Sequence, residues 1–506
     1  MVFIQDGYLK TEKTGAVDSA LEPDGSTVAN QSAYWVEPLD ITPAEYGLLT
    51  DLYQLTMSAC YVGESIYRKT ASFELFTRRL PAGYGYLISM GLEQALEYLQ
   101  NLSYSAEQIE QLKRTDIFKS APDEFWRLLK NFRFVGDVWA VPEGTAVFAN
   151  EPMLRIEAPL WQAQIAETYL LNTLNYQTLI ATRAARIRQA AGLDAKLYEF
   201  GTRRAFSPQA SLWAARAAIA GGLDATSNVL AALKLDQQPV GTMAHALVMA
   251  ISALEGSEDD GFDAFHRYFP GAPLLIDTYD TEAAAKRLAQ KMGQLDPGRT
   301  GGSLAGVRID SGNLAEMSRA VRSHLPNTPI FVSGDLDEFA IEQLQAQVTE
   351  QVTEQAAEQA AFIDGYGLGT KLVTGAPVNG VYKLVDIDSK PVMKESSGKL
   401  TYPGRKQVFR RIEEGQVISD RLALSIESSV AQEVPLLQRV MTDGKRLLAP
   451  EALDAIAKRT LESVSALPPS VRRLQDPETL EVMLSHGLEQ LTEHTRQSKQ
   501  PQSKQP

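Results

Sequence analysis

The sequence predicts an α/β protein in which a parallel, barrel-like sheet is joined to a second domain. The first observation is the length, because 506 residues are more than one small hydrophobic core usually organises. The second is a series of short apolar segments, each followed by polar or glycine residues and then by a helical pattern, as in successive β/α units. These segments are KLYEF, PVGTMA, APLLIDT, AGVRID, PIFVSGD and AAFIDGYGLG, and they end near residues 200, 245, 277, 310, 334 and 367. The functional residues of such a barrel collect at the carboxyl ends of the strands.

The other elements follow from hydrophobic periodicity. Residues 48–61 and 90–102 predict helices, the second with leucines at helical spacing, and residues 161–190 predict a longer helix. Residues 137–158 alternate between apolar and polar side chains, as short antiparallel strands do. The Glu/Gln/Ala-rich stretch at 348–361 predicts an exposed helix, to which we assign no function.

The same patterns predict how the chain is divided. We expect a weakly ordered arm at 1–40, an α+β accessory domain at 41–165 and the barrel at 166–381. A β-hairpin pattern returns after the barrel, so residues 382–490 are assigned to the accessory domain. A duplicated polar pentapeptide ends the sequence, and residues 491–506 predict a disordered tail.

Composition and charge argue against several classes of protein. The 44% hydrophobic and 22% charged content is typical of a globular protein, and no apolar run approaches the ~20 residues that cross a bilayer. Sequence-independent nucleic-acid binding needs a basic surface, so the net charge of −14 argues against it, although a local cationic pocket is compatible with an acidic protein. The first residues lack a secretory pattern, and the single Cys60 fits a reducing compartment. We therefore expect a cytoplasmic enzyme.

Two of the predicted strands end in cationic side chains. In YEFGTRR (198–204), Phe200 offers a flat aromatic face and the arginines offer planar cations, although an aromatic beside surface arginines is an equally simple interpretation. In VRIDSG (307–312), Arg308 and Asp310 are two residues apart and therefore lie on one face of a strand. Arg308 suits an anionic substrate, and Asp310 suits a ribose hydroxyl or bound magnesium. A structural salt bridge is the alternative.

A histidine follows a third predicted strand. His245 ends GTMAH (241–245), a run of mostly small residues, and an imidazole there can accept a proton or a phosphoryl group. A single histidine is more often structural, so the functional interpretation of His245 depends on its neighbours. The structural interpretation is given to His266, His324, His486 and His494.

Two further strands lead into glycines. VSGD (332–335) and DGYGLGTK (364–371) each precede a helical pattern, and backbone N–H groups at such turns bind anions. Paired loops of this kind hold phosphate in many barrels. The spacing matches neither a Walker A motif nor a complete G-x-G-x-x-G motif, and the sequence contains no HExxH motif. Together these segments predict a barrel enzyme that handles phosphates and carries out group transfer.

Eight motifs, taken together, resemble one known family. They are LLTDLYQLTM (48–57), FELFTRRLP (73–81), YEFGTRRA (198–205), GTMAHAL (241–247), GVRIDSGNL (306–314), FVSGDLDE (331–338), GYGLGTKLVTG (365–375) and PGRKQVFR (403–410). This ordered series is similar to nicotinate phosphoribosyltransferases over roughly residues 48–410. The resemblance implies the irregular α/β barrel of type II phosphoribosyltransferases, with a second α+β domain built from both chain ends. It also implies a homodimer whose active sites are completed across the interface.

The resemblance implies roles for particular residues. Tyr53, supplied by a second subunit, and Phe200 would enclose the pyridine ring, and His245 would be transiently phosphorylated by ATP. The implied catalytic residues are His245, Arg203, Arg308 and Asp310. The implied substrate-binding residues are Asp51, Tyr53, Phe200, Thr202, Asp224 and Thr242, and the implied phosphate-binding residues are Ser333, Gly334, Asp335, Gly367, Gly369 and Thr370.

The implied reaction converts nicotinate and 5-phosphoribosyl 1-pyrophosphate to nicotinate mononucleotide and pyrophosphate, in NAD biosynthesis and salvage. Mg²⁺ would be the cofactor and ATP a co-substrate, whose hydrolysis is coupled to product formation. Two alternatives stay open, a nicotinamide phosphoribosyltransferase and a barrel that binds nucleotides without catalysis. We expect neither a nucleic-acid nor a membrane partner.

Overall fold

The structure, a computed structural model, describes residue 39 and residues 41–293, 304–349, 363–396 and 399–499. The predicted arm therefore lies almost entirely outside the described residues. The secondary-structure elements reported below belong to one compact unit, Thr42–Pro506. Among the described residues, we find no helix with the length and apolar character needed to span a bilayer.

Helices and strands are numbered in chain order. The helices are α1 (Leu52–Gly63), α2 (Leu92–Asn101), α3 (Ala106–Lys113), α4 (Asp123–Lys130), α5 (Leu160–Ile165), α6 (Glu167–Ala191), α7 (Pro208–Ala220), α8 (Val229–Lys234), α9 (His245–Glu255), α10 (Glu258–Tyr268), α11 (Thr281–Gly293), α12 (Leu314–His324), α13 (Glu338–Thr349), α14 (Thr370–Val373), α15 (Leu453–Ser465), α16 (Pro469–Arg472) and α17 (His486–Lys499). The strands are β1 (Thr70–Thr77), β2 (Leu87–Ile88), β3 (Asp137–Ala140), β4 (Ala146–Val147), β5 (Pro152–Pro159), β6 (Lys196–Glu199), β7 (Ala225–Thr226), β8 (Leu274–Leu275), β9 (Val307–Ile309), β10 (Ile330–Gly334), β11 (Gly365–Leu368), β12 (Gly380–Ile387), β13 (Lys390–Pro391), β14 (Glu395–Ser396), β15 (Lys399–Leu400), β16 (Lys406–Glu413), β17 (Gln416–Leu424), β18 (Glu433–Pro435), β19 (Gln438–Thr442), β20 (Lys445–Arg446) and β21 (Val482–Leu484).

The predicted parallel sheet is present and carries six strands in the order β7-β6-β11-β10-β9-β8. Its strand pairs are all parallel, so the carboxyl ends lie along one edge. Gly367 of β11, for example, lies between Tyr198 of β6 and Ser333 of β10. Apolar side chains such as Leu197 and Val332 are fully buried, as expected for parallel strands covered by helices.

One predicted strand of this series was wrong. PVGTMA (239–244) forms no strand, and the strand beside β6 is the two-residue β7, which the sequence pattern did not indicate. The segment makes one backbone hydrogen bond to β7, which Val240 N–H donates to the Thr226 carbonyl at 2.9 Å. Pro239 has no N–H to donate and Gly241 has no side chain to pack, so the pairing ends there.

The parts of the chain before and after the barrel share one sheet. This sheet has seven antiparallel strands in the order β13-β12-β1-β5-β3-β19-β20. Strand β1 lies between β5 and β12, with Phe76 opposite Val381. Strands β18, β16, β17 and β21 form a separate four-stranded sheet. The sheets thus combine both ends of the chain, while the domain boundaries at 165 and 382 stay predictions.

The predicted long helix is divided into α5 and α6 at Ala166, and α6 packs against both chain ends. Arg186 of α6 is fully buried. Its Nε donates to Glu338 of α13 at 2.9 Å, and its Nη2 donates to the Leu474 carbonyl at 3.1 Å. Because a buried charge is costly unless it is paired, this arrangement specifies how α6, α13 and the C-terminal segment pack together.

The structure describes most of the last helix but very little of the Glu/Gln/Ala-rich stretch at 348–361. Helix α17 continues to Lys499, so the prediction of a disordered tail was wrong for residues 491–499, and residues 500–506 lie outside the described part. Leu488, Thr492 and Thr495 bury one face of this helix, which explains why a polar sequence is helical there. The predicted helix at 348–361 lies outside the described residues, apart from the last two residues of α13.

Candidate active site

A cavity of about 840 Å³ opens where the strands of the parallel sheet end. Its volume is within the range of small-molecule binding sites. The wall consists of Phe200, Arg203, Arg204, Ser227, Gly241, Thr242, Met243, Ala244, His245, Arg308, Asp310, Ser333, Gly334, Asp335, Gly367, Gly369 and Thr370. The fold therefore brings most of the predicted site residues together.

One side of the cavity combines an aromatic ring with arginines. The Arg308 guanidinium carbon lies 6.0 Å from the centre of the Phe200 ring, and its Nη2 donates to the Met243 carbonyl at 3.3 Å. Burial lowers the pKa of Arg308, while the Asp310 and Asp277 carboxylates oppose that shift. The buried Nε of Arg308 has no hydrogen-bond partner within the described ranges. Since buried donors are normally satisfied, this atom suits an anionic group of a ligand.

His245 begins helix α9 and points to a pair of residues that the sequence reasoning missed. Its Nδ1 lies 3.1 Å from Thr278 Oγ1, and its Nε2 lies 3.9 Å from Asp277 Oδ1. Asp277 and Thr278 follow β8 after one further residue, Ile276, and the segment APLLIDT ends in this polar pair. The signal was therefore present, because a polar pair follows a buried apolar strand there as it does at Asp310.

Asp277 also organises the turn after β9. Its Oδ2 accepts hydrogen bonds from Asp310 N–H at 2.7 Å, from Ser311 N–H at 2.9 Å and from Ser311 Oγ at 3.1 Å. Its Oδ1 is buried and lacks a hydrogen-bond partner among the residues that the structure describes. This carboxylate thus joins the histidine to the turn that carries Asp310.

Gly334 and Gly367, one from each predicted phosphate loop, are required by close packing. Gly334 has a φ of 125°, and a Cβ added there would lie 2.8 Å from the Asp310 carbonyl oxygen. A Cβ at Gly367 would lie 2.5 Å from the Phe200 ring. Ser333 Oγ of the first loop donates to Asp310 Oδ1 in the turn after β9. Any larger side chain at these glycines would displace the ring or the loops that line the cavity.

Four predicted substrate-binding residues are not part of the cavity wall, and two of them, Asp224 and Thr202, belong to the barrel. The Asp224 carboxylate pairs with Arg188 Nη2 at 2.6 Å and accepts from Leu197 N–H at 2.7 Å. It precedes β7 and therefore lies at the end of the sheet away from the cavity, so the structure does not support contact with the pyridine ring. Thr202 is exposed in the turn between Phe200 and Arg203.

Asp51 and Tyr53 lie at the start of α1, outside the cavity of their own chain. Asp51 is exposed and accepts a hydrogen bond from Thr168 Oγ1 at 2.8 Å. The Tyr53 side chain is 47% exposed beside the exposed Leu49 and Leu52. An apolar surface of this kind is compatible with the predicted contact to a second subunit, which remains a prediction.

Comparison with known proteins decides the family. Family models match at residues 48–175 (nicotinate phosphoribosyltransferase N-terminal domain), 195–401 (nicotinate phosphoribosyltransferase family) and 431–492 (C-terminal domain). The nicotinate phosphoribosyltransferase pncB2 of Mycobacterium tuberculosis is 39% identical over 442 residues, which cover 85% of this chain and 89% of that protein. The nicotinate phosphoribosyltransferase of Bacillus subtilis is 39% identical over 421 residues, covering 79% and 78%. This chain belongs to the nicotinate phosphoribosyltransferase family.

Solved structures support the fold of this family member. The crystal structure of human nicotinic acid phosphoribosyltransferase matches with a TM-score of 0.73 and 27% identity, covering 88% of this chain and 99% of that one. The crystal structure of nicotinate-nucleotide pyrophosphorylase from Pyrococcus furiosus matches with a TM-score of 0.68 and 26% identity, covering 85% and 99%. The predicted type II phosphoribosyltransferase barrel with a second α+β domain is thereby confirmed.

A buried acid that the sequence reasoning passed over supports the site of this nicotinate phosphoribosyltransferase family member from outside the cavity wall. Glu199 ends β6 directly before Phe200, and its carboxylate accepts from Thr226 Oγ1 at 2.5 Å and from Gly201 N–H. Burial raises the pKa of Glu199, and these two hydrogen bonds oppose the rise. Glu199 therefore connects β6 to β7 and holds the turn that presents Phe200. A charged residue inside the apolar segment KLYEF was the available signal.

Proposed function

We propose that this family member transfers the phosphoribosyl group of 5-phosphoribosyl 1-pyrophosphate to nicotinate, forming nicotinate mononucleotide and pyrophosphate. The main support is the cavity, in which the Phe200 ring, Arg308 and Asp310 lie beside the glycine loops at the ends of β10 and β11. An aromatic face, cationic side chains and backbone N–H groups are the features that a planar carboxylate and several phosphates need.

The reaction needs few protein groups once both substrates are aligned. The nitrogen of the pyridine ring attacks C1 of the ribose, and the C1–O bond to pyrophosphate breaks with its electron pair leaving on pyrophosphate. Phe200 orients the ring by stacking, and the unpartnered Nε of Arg308 supplies a donor to an anionic group. Asp310 lies where it can accept a hydrogen bond from a ribose hydroxyl, and its position is set by Asp277 and Ser333.

The phosphate of the ribose is assigned to the loops that contain Gly334 and Gly369. Asp335 and Thr370 lie next to these glycines and line the same wall of the cavity. A Cβ added at Gly369 would have its nearest neighbour at 3.7 Å, so a ligand can approach this backbone closely. Arg203 and Thr242 complete the wall on the sides of the pyridine and of the histidine.

ATP coupling is assigned to His245. If Nδ1 carries the ring proton and donates it to Thr278 Oγ1, Nε2 has a free electron pair that can attack the γ-phosphorus of ATP and release ADP. The imidazole is 37% exposed and lies on the first residue of the 11-residue helix α9, whose N-terminus favours negative charge. A phosphoryl group there would add charge beside the cationic wall and so order the cavity for substrate.

Mg²⁺ is assigned to the pyrophosphate. Across the described ranges, no group of three or more His, Cys, Asp or Glu side chains is placed to hold a metal ion. A magnesium ion that arrives with phosphates needs only one or two protein carboxylates, and the unpartnered Asp277 Oδ1 and the nearby Asp310 provide such oxygens. When bound, the ion would neutralise charge that develops on the leaving pyrophosphate.

We further propose a cytoplasmic homodimer in which Tyr53 of one subunit completes the pyridine site of the other. The support is the exposed position of Tyr53 beside Leu49 and Leu52, together with the single cysteine of the sequence. The partners are nicotinate, 5-phosphoribosyl 1-pyrophosphate and ATP.

An assay of pyrophosphate release, run with nicotinate or nicotinamide and with or without ATP, tests the proposal. We expect release with nicotinate, stimulation by ATP and little release with nicotinamide. The variant Arg308→Met, which removes the unpartnered donor, should lose activity and thereby exclude a contaminating enzyme as its source. Similar turnover of both pyridines would contradict the preference for the acid, and no release with either would contradict the proposed reaction.

A further inference from the structure

Side chains of helix α6 donate hydrogen bonds to the loop after β11. Arg183 of α6 donates from Nη1 to the carbonyls of Lys371 and Thr374, and Tyr176 Oη, two helical turns earlier, donates to the Val373 carbonyl at 3.0 Å. These carbonyls belong to the C-terminal end of the short helix α14, where backbone oxygens lack partners within the helix. The end of α14 is therefore bound by side chains of α6.

The contact is closely packed. A Cβ at Gly375 would overlap the Arg183 guanidinium, so this glycine is required by the arginine. Nε of Arg183 donates to Tyr84 Oη at 3.3 Å, which keeps the guanidinium in one orientation. A guanidinium that makes several directed hydrogen bonds cannot be replaced by an ammonium group without loss of contacts.

Movement of α14 would reach the cavity on two sides. Thr370, the first residue of α14, and Gly369 before it line the cavity wall. Val373 is fully buried, and its side chain packs so closely on the Phe200–Gly201 turn that a Cβ at Gly201 would overlap it. The position of α14 thus affects both the phosphate loop and the turn that presents Phe200.

We propose that Arg183 is a positioning residue for the loop that binds the ribose phosphate. It is absent from the cavity wall and acts through the carbonyls of α14, which set the backbone of Gly369 and Thr370. The inference rests on the proposed function, because that function assigns the phosphate to this loop. It predicts that loss of Arg183 weakens the binding of 5-phosphoribosyl 1-pyrophosphate more than the binding of nicotinate.

Arg188, five residues further along α6, provides a matched control. It is also partly buried, and its guanidinium also binds backbone carbonyls, those of Gly222, Gly192 and Ala195. These carbonyls lie near the other end of the sheet and not at the cavity. A general loss of helix packing should therefore appear in variants of either arginine, whereas a loop-specific effect should appear only in variants of Arg183.

The experiment compares Arg183→Met, Arg183→Lys and Arg188→Met with the unaltered protein. KM is measured for each substrate, kcat and the thermal midpoint are recorded, and ribose 5-phosphate is titrated by calorimetry. A loop displaced by ~1 Å can cost on the order of 100-fold in rate, so we expect the KM for 5-phosphoribosyl 1-pyrophosphate to rise at least about tenfold in Arg183→Met. The KM for nicotinate should change less than about twofold, and Arg183→Lys should lie between.

The outcomes separate the inference from the proposed function. An equal rise of both KM values, or the same pattern in Arg188→Met, would overturn the positioning role, as would unchanged KM values. If Arg183→Met does not fold, Arg183→Lys carries the same comparison. If the unaltered protein releases no pyrophosphate, the proposed function fails, and ribose 5-phosphate affinity in the Arg183 and Arg188 variants still decides whether Arg183 positions the loop.

Discussion

The imidazole of His245 has Nδ1 3.1 Å from Thr278 Oγ1 and Nε2 directed toward Asp277. We expect His245→Ala to abolish ATP stimulation, so that activity with ATP falls to the level measured without it, because the nucleophilic nitrogen is lost. The check is pyrophosphate release with and without ATP, together with acid-labile label from γ-labelled ATP. The matched variant is His324→Ala, since His324 pairs with Glu282 away from the cavity. Full ATP coupling in His245→Ala would assign the phosphoryl acceptor elsewhere.

The aspartates near the strand ends show how far residue patterns predict a site. The sequence pattern predicted functional side chains after apolar strands, and Asp310 and Asp335 do line the cavity. Asp224 does not line the cavity, so its predicted role has no support from the geometry, and Asp277 was overlooked. Asp224 precedes β7 and Asp277 follows β8, so only Asp277 lies at the carboxyl end of its strand. A two-residue strand is too short for its pattern to show whether a neighbouring acid lies at its amino or its carboxyl end.

Close packing of glycine is also decided by neighbours that are distant in sequence. Gly334 and Gly367 were predicted as parts of anion-binding turns. In the structure, a Cβ at Gly334 would meet the Asp310 carbonyl, and a Cβ at Gly367 would meet Phe200. The residue type was therefore predicted correctly, while the reason for it lies in the pairing of β11 with β6 and of β10 with β9.

At the scale of elements, a buried glutamate packed against strands β16 and β17 makes stability depend on pH. Arg410 of β16 pairs with Asp420 of β17 at 2.6 Å, and Glu151, which precedes β5, lies against this pair. Burial raises the pKa of Glu151 well above its usual value, and the Asp420 charge adds to the rise while Arg410 opposes it. The folded protein therefore retains a proton that the unfolded chain releases near pH 4.5.

We expect the unaltered protein to lose stability relative to Glu151→Gln as pH rises above about 4.5. The pKa of Glu151 is higher in the folded protein than in the unfolded chain. The stability that comes from its bound proton is therefore fully present below the unfolded pKa and is lost as pH rises through the folded pKa. Glutamine keeps an acceptor for Phe148 N–H and offers a neutral donor toward Asp420. Urea unfolding at pH 5 and pH 8 measures the difference, the exposed Glu481→Gln serves as control, and a difference independent of pH would contradict this account.

Helix α6 shows which properties of an element are local. The sequence predicted a long helix at 161–190, and α6 occupies Glu167–Ala191. Its partners were not predictable, because Arg183 contacts the end of α14 and Arg186 contacts α13 and the C-terminal segment. The helical period shows which face is apolar, but it does not show which elements cover that face.

At the scale of the whole molecule, Tyr53 lies outside the cavity of its own chain and is exposed. If a second subunit receives it, Tyr53→Ala and His245→Ala damage different halves of one shared site. We expect each variant alone to be impaired, whereas mixed dimers recover activity, because one of their two sites then contains both intact residues. The check is pyrophosphate release after the two variants are co-expressed with different tags and the mixed dimer is isolated. Mixed dimers no more active than the parents would contradict a shared site.

The sequence by itself determined the α/β class, the order of the strand-end motifs and the chemical character of the cavity. These are local properties, since an apolar strand, a glycine turn and a following polar residue can be recognised within a few positions. Only the tertiary structure shows that β7 replaces the predicted strand at 239–244, that Asp277 joins His245 to Asp310, and that Arg183 binds backbone carbonyls at the end of α14. These depend on strand order, register and helix packing between segments far apart in the chain, for which a single sequence contains no local signal.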